Sequence, residues 1–359
     1  MHSARPSLIR GIGSGRRTSR MLTGAVLPLA ALLAGGGVVP VNAQEPEGPR
    51  RISVVVTTEV LGSVVNELVA DRAEVTILME SGADPHAWQP SARDAEAVFG
   101  ADLVVANGLS LEEGLLDVLD QARTSGIPVF EATEHVALRT PGPGEADHDD
   151  EADHPDEPDQ LDEADHRDEA DHDDEADHDD EHAHAPGDPH FWLDPLAMRD
   201  VVVALGPVLG AAGVEVDDRV ADLEARLEAL DAEVAAIVEA IPHERRQLVT
   251  GHESLGWFAD RYGFTVVGTV IPGLTTTGDI SARELAALIA TIRETGAPAI
   301  FTEVGSPQAV ADAVAQESGA RLVELRDAQL PESGSYFGLV REVARVISGT
   351  LAGVSRRPR

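Results

Sequence analysis

The chain has 359 residues, with 64 Asp or Glu against 27 basic residues, every one of them Arg, for a net charge of −37. That balance excludes a phosphate backbone as partner, which needs a cationic face, and disfavours docking on an anionic membrane surface. The absence of Cys excludes disulfides, zinc–thiolate sites, a cysteine nucleophile and lipidation on an N-terminal Cys, while 43% hydrophobic residues suffice for a sizeable core.

The first segment reads as an address. Residues 1–20 carry five Arg and no acid, and an uncharged apolar run follows over 21–41, ending at the small residues Val41-Asn42-Ala43. This is the pattern of a secretory signal peptide over 1–43. The mature chain is therefore expected to start near Gln44. It should work on the periplasmic or extracellular face of the cytoplasmic membrane, without a lipid anchor.

Residues 44–215 read as a first α/β lobe. Short apolar runs at 52–58, 74–78, 102–106 and 127–130 are spaced by helical patterns at 59–70, 92–99 and 111–125. Such alternation predicts βα units around a mostly parallel sheet. Within this lobe, residues 145–188 hold 23 acidic residues against Arg167 alone, and Glu-Ala-Asp-His recurs five times in a six-residue register. Lacking the apolar residues to bury a core, this insert is expected to be disordered. Its seven His suit weak, multisite capture of a borderline metal such as Zn, Cu or Ni.

Residues 216–241 place Val220, Leu223, Leu227, Leu230, Val234, Ile237 and Ile241 at three- and four-residue steps. They predict one stiff connecting helix of about 39 Å at 1.5 Å per residue. A second α/β lobe follows over 242–359. It has strands at 247–250, 265–271, 299–302 and 321–325, and helices at 254–262, 282–295, 307–318 and 336–350. Ser281 is placed to cap the second of these helices.

Four residues stand out chemically. Asp84-Pro85-His86 and Asp188-Pro189-His190 each set a His after a rigid turn, with Trp88 and Trp192 two residues on. A lone loop His is usually a surface residue, but two copies around an Asp/His-rich insert point to metal. His252 follows the strand at 247–250, and Asp327 follows that at 321–325. Open α/β sheets bind ligands at such carboxyl ends. Glu253 and Glu303 are reserve carboxylates. No His-Glu-x-x-His helix is present, so an enzyme is not expected.

Taken together, Asp84-Pro85-His86, the acidic insert, His190-Phe-Trp-Leu-Asp-Pro195, the segment His252 to Gly263, Phe301-Thr-Glu303 and the Asp327 segment resemble a family. It is the metal-binding proteins of zinc and manganese ABC importers, the cluster A-I solute-binding proteins. The resemblance covers about residues 50–350. It implies two α/β lobes with mostly parallel sheets, joined by one long rigid helix, and a metal between the lobes. It implies His86 and His190 as ligands from the first lobe, His252 and Asp327 from the second. The expected cargo is Zn²⁺ and the expected partner an ABC membrane permease, with the chain a monomer that binds no nucleic acid. Manganese members resemble this pattern but carry a carboxylate where His252 stands. A metal buffer working through the insert is the remaining alternative.

Overall fold

The structure is a computed structural model that describes residues 50–79, 81–139, 187–278, 280–304 and 308–353. The signal segment and nearly all of the acidic insert lie outside the described residues.

The first half alternates as the apolar runs require. Strand β1 (Ile52–Val56) leads to α1 (Glu59–Val69), β2 (Ala73–Ile77), α2 (Ala92–Phe99), β3 (Leu103–Ala106), α3 (Leu116–Thr124) and β4 (Val129–Glu131). All pairings are parallel, in the order β2-β1-β3-β4. Val54 to Val56 and all of β3 are buried on both faces, which is why they read as unbroken hydrophobic runs. Thr58 caps α1, and Ser91 with Asp94 forms a capping box on α2.

One expectation needs correction here. The pattern at 111–125 is not a single helix: a 3₁₀ turn at Glu113–Leu115 precedes α3. Just before it, Gly108, Leu109 and Ser110 all have positive φ, at 93°, 50° and 56°. Left-handed residues are not part of a right-handed helix, so no helical turn starts before Leu111.

Next come two consecutive helices, α4 (Pro195–Ala211) and α5 (Asp217–Val238). Asp194 accepts from the Leu196 and Ala197 amides, and Pro195 opens α4 at its first position. The sequence pattern had not assigned α4. Helix α5 is the expected connector, slightly shorter than 216–241 and about 33 Å long at 1.5 Å per residue. Its buried stripe of Leu223, Leu227, Leu230, Val234 and Val238 packs on α4. It also touches α1 of the first half and the last helix of the second.

That second half is β5 (Gln247–Thr250), α6 (Gly256–Tyr262), β6 (Thr265–Thr269), α7 (Ala282–Thr295), β7 (Ala299–Glu303), α8 (Gln308–Ser318), β8 (Arg321–Leu325) and α9 (Tyr336–Ala352). Its parallel order, β6-β5-β7-β8, repeats that of the first sheet. Ser281 and Glu284 close a capping box on α7, as expected, and Gly296 ends that helix in the left-handed region. One core cluster runs through β1, α1, α4, α5, α6 and α9, so the two sheets share a continuous apolar spine. No helix among the described residues is long and apolar enough to cross a membrane.

Candidate metal centre

Both sheets present the carboxyl ends of their strands to one cleft, where ligands of open α/β sheets bind. The first Asp-Pro-His turn, after β2, places His86 there. The second, entering a 3₁₀ turn at Phe191–Leu193, places His190. His252 follows β5, Glu303 ends β7, and Asp327 lies just past β8.

These five residues line one cavity of about 30 Å³, together with Asp84, Trp192, Ser254 and Thr276. That volume is close to what one water takes up in the liquid and far below an organic-ligand pocket. A cavity of this size suits an ion or a water rather than an organic ligand. The three imidazoles are 5% exposed or less, and their Nε2 atoms converge: His190 stands 3.2 Å from His86 and 3.2 Å from His252. The three form a group able to hold a metal ion, with one ring nitrogen of each within 4.8 Å of the others. Asp327 borders the same cavity but stands outside this tight group.

Behind each ring is a carboxylate. His190 Nδ1 donates to Asp188 Oδ1 at 2.8 Å, which leaves Nε2 as a lone-pair donor into the cavity. His252 Nδ1 lies 3.2 Å from Glu303 Oε1, close but without hydrogen-bond alignment. His86 Nδ1 lies 3.9 Å from Glu113. Glu303 also accepts from Ser254 Oγ at 3.0 Å.

This wiring sets the charge states. Burial, then the neighbouring rings of His190 and His252, push His86 down to about 2. Burial likewise lowers His190, against the pull of Asp188. Burial also opposes charging His252, but Glu303, with Asp327 and Asp84, outweighs it and raises the pKa above the ordinary value. Glu303 is held low: His252 overcomes the effect of burial. Burial, then the charge of Glu303, lifts Asp327 to about 7.

Asp188 both ends the acidic insert and opens the second Asp-Pro-His turn; it is wholly buried and is the closest partner of a candidate ligand. Its signal was present in the Asp-Pro-His spacing itself, because Asp188 Oδ1 also accepts from the His190 amide at 2.9 Å. Glu113 had no comparable signal. Glu253, a reserve carboxylate, is buried near the Gly273 amide, 3.4 Å away, and does not line the cavity. Trp88 packs on the first sheet's core. Trp192 does reach the site: its indole donates to the Asp327 main-chain oxygen. A buried carboxylate, Glu112, steadies the floor. It accepts from Thr57 Oγ1 (2.6 Å) and the amides of Asn107 (2.7 Å) and Gly108 (3.3 Å). The Asn107 side chain then donates to Pro189 O at 3.0 Å, beside His190.

Residues 54–349 match the family described as ZnuA, zinc-uptake complex component A, periplasmic. The chain belongs to this family. Its members are metal-binding solute-binding proteins of zinc or manganese ABC importers. Among curated relatives, the zinc-binding protein TroA of Treponema pallidum is 29% identical over 314 residues, spanning 83% of this chain and 88% of that one. The manganese-binding lipoprotein MntA of Halalkalibacterium halodurans is 26% identical over 305 residues, 82% of this chain and 84% of that protein. The solved structure of periplasmic zinc-binding TroA superposes with a TM-score of 0.65 at 25% identity, covering 84% of this chain and 99% of that one. The two-lobed α/β architecture expected from the sequence is thus that of its relatives.

Proposed function

We propose that this chain captures Zn²⁺ outside the cytoplasmic membrane and hands it to the permease of an ABC importer. The observation that carries the reading is the convergence of three buried imidazole nitrogens on an ion-sized cavity. Zn–N bonds of 2.0–2.1 Å at the tetrahedral angle set neighbouring nitrogens roughly 3.3 Å apart. The two Nε2 pairs here stand at 3.2 Å. Asp327 supplies the fourth ligand from across the cavity, completing three nitrogens and one oxygen. Donor chemistry, rather than spacing, then selects the ion: a nitrogen-rich set suits Zn²⁺, whereas carboxylate and water suit Mn²⁺.

Manganese is the second reading, supported by Glu303 as a further oxygen donor beside the same cavity and by the manganese-binding relative. The role is transport rather than catalysis, because a hydrolytic zinc site needs an open coordination position and a base aimed at it. The basic and apolar segment at 1–43 supports export of the chain across the cytoplasmic membrane.

Titration calorimetry of the metal-stripped protein with Zn²⁺ and with Mn²⁺, beside His86→Ala/His252→Ala, tests this. One tight Zn²⁺ site that vanishes in the double variant is expected. Tighter Mn²⁺ than Zn²⁺ binding would move the reading to manganese. Weak sites only, unchanged by the substitutions, would remove it.

A further inference from the structure

The two Asp-Pro-His segments are built alike beyond their histidines. In each, one carboxylate oxygen fixes the His backbone. Asp84 Oδ1 accepts from the His86 amide at 3.0 Å, and Asp188 Oδ1 from the His190 amide at 2.9 Å. In each, the other oxygen leads to the second half of the chain, directly for Asp84 and through Arg139 of its own half for Asp188. Asp84 Oδ2 accepts from Thr276 Oγ1 at 2.6 Å, in the loop between β6 and α7. Asp188 Oδ2 accepts from Arg139 Nη1 at 3.1 Å, and Arg139 Nε donates to Asp260 on α6 at 2.8 Å. The Asp188 main chain is held the same way, by the Trp257 indole of α6 at 3.0 Å.

These contacts need the two halves to be close. A Cβ on Gly256, which opens α6, would collide with Arg139 and lie 2.8 Å from Asp188 Oδ2. Thr276 and α6 also follow His252 in the chain, so Thr276, Trp257 and Asp260, the contacts of Asp84, of the Asp188 main chain and of Arg139, move with a candidate ligand of the second half. Exposed ion pairs are worth little, but Arg139 is 7% exposed and Asp188 not at all. Removing one partner of such a pair leaves a charge buried and uncompensated.

We propose that Asp84 and Asp188 are paired couplers, each passing the separation of the two halves to its own histidine, so that opening and loss of metal ligands are one step. Thr276 and Arg139 are then positioning residues that set the release rate. When the halves part, Asp84 loses Thr276 and is free to rotate, while Asp188 loses the Trp257 indole from its main chain and Arg139 loses Asp260, so that its hold on the Asp188 carboxylate slackens; each His two residues on then loses its backbone anchor. His190 loses its Nδ1 acceptor as well. The inference rests on the metal-capture reading and assigns it a release mechanism.

The test is stopped-flow release of Zn²⁺ from the full chain into excess chelator, with capture measured separately, for wild type, Thr276→Val, Arg139→Gln and Arg139→Lys. Contacts formed only in the closed state act on release, not on encounter. Each of the first two variants should release about tenfold faster, the effect of losing one hydrogen bond, and should change release by more than it changes capture. Arg139→Lys should recover part of the loss. A role confined to fold stability would lower the melting temperature without moving the release rate. Thr276→Val is isosteric and sits in a half-buried loop, so it carries the test even if Arg139→Gln does not fold. A folded Thr276→Val with wild-type release, or with slow capture and unchanged release, overturns the proposal. A wild type that cannot hold Zn²⁺ against the chelator would instead sink the capture reading, which the variants alone would not.

Discussion

Trp192 donates its indole N–H to the main-chain oxygen of Asp327 at 2.7 Å, while its own main-chain oxygen accepts from the Tyr336 hydroxyl at 2.8 Å. An aromatic two residues from His190 thus pins the loop that carries the carboxylate of the other half. Trp192→Phe keeps most of the ring but leaves a buried carbonyl unpaired, a cost of about 1–3 kcal/mol. Because the bond joins the halves, most of that cost falls on the metal-bound state. Zn²⁺ affinity should drop about tenfold or more by calorimetry, and an unchanged affinity would confine Trp192 to packing.

Proton competition should be unequal among the ligands. Metal binds neutral imidazole and ionised carboxylate. His86, held down to about 2, and His190, also lowered, are already neutral and have no proton to give up near neutral pH. His252, raised by its carboxylate neighbours against burial, and Asp327, lifted to about 7, do hold protons there. Affinity should therefore weaken as pH falls through about 7, where Asp327 takes up a proton, and His252, raised by its carboxylate neighbours, adds to the competition. Calorimetry at pH 7 in buffers of different ionisation enthalpy should register proton release on binding. Release lost in Asp327→Asn would assign part of it to that carboxylate; release unchanged in Asp327→Asn and lost in His252→Ala would assign it to the imidazole.

Selectivity should follow the third imidazole. His252→Asp exchanges a nitrogen donor for an oxygen and shortens the reach into a cavity of about 30 Å³. By donor preference, Zn²⁺ affinity should fall more than Mn²⁺ affinity, on the order of tenfold or more in their ratio. Competition of the two ions for one site reads this directly. An equal loss for both would mean that cavity shape, not donor type, selects the ion.

Glu112 offers a test of the scaffold apart from the ligands. It is buried, accepts three hydrogen bonds, and closes the loop in which Gly108, Leu109 and Ser110 all have positive φ. Burial raises its pKa despite those bonds. Glu112→Gln turns an amide group towards donors that need an acceptor. A loss of about 2 kcal/mol is expected, a drop in melting temperature of about 5 °C for a chain of this size. Thermal unfolding of the metal-free protein measures it.

Much of this architecture was legible because buried parallel strands appear as short apolar runs with few alternatives. All eight strands were located, and so was the connecting helix, whose leucines recur at helical steps. The two Asp-Pro-His turns and His252 were legible because a strand end followed by a tight turn can aim a side chain in few directions. What stayed hidden depends on distance in space. The Asp-Pro-His spacing marked Asp188 as a turn residue, but its burial and its bond to the His190 ring stayed hidden, since composition cannot tell a buried carboxylate from a solvated one. Glu113 reads as an ordinary charge at a helix start until His86 is folded back against it. The 3₁₀ turn before α3, and the positive φ values at Leu109 and Ser110 that precede it, fall on residues that give no warning of that backbone.

The position of Asp188 sharpens what a deletion of the acidic insert should do. The Asp188 amide donates to Arg139 O at 3.1 Å, so the chain before residue 140 and the chain after residue 186 are joined beside His190. Removing residues 145–186 leaves that junction, the buried Arg139–Asp188 pair and the His190 Nδ1 acceptor intact. One tight site should persist, with the weak sites expected of the seven insert histidines lost. Extending the deletion by two residues to 188 removes the carboxylate that orients His190. Loss of such an outer partner typically costs 10–100-fold in metal affinity. Calorimetry on the two deletions separates the outcomes: equal tight binding in both would strip Asp188 of its orienting role, and loss of the tight site in both would make the insert part of the binding centre.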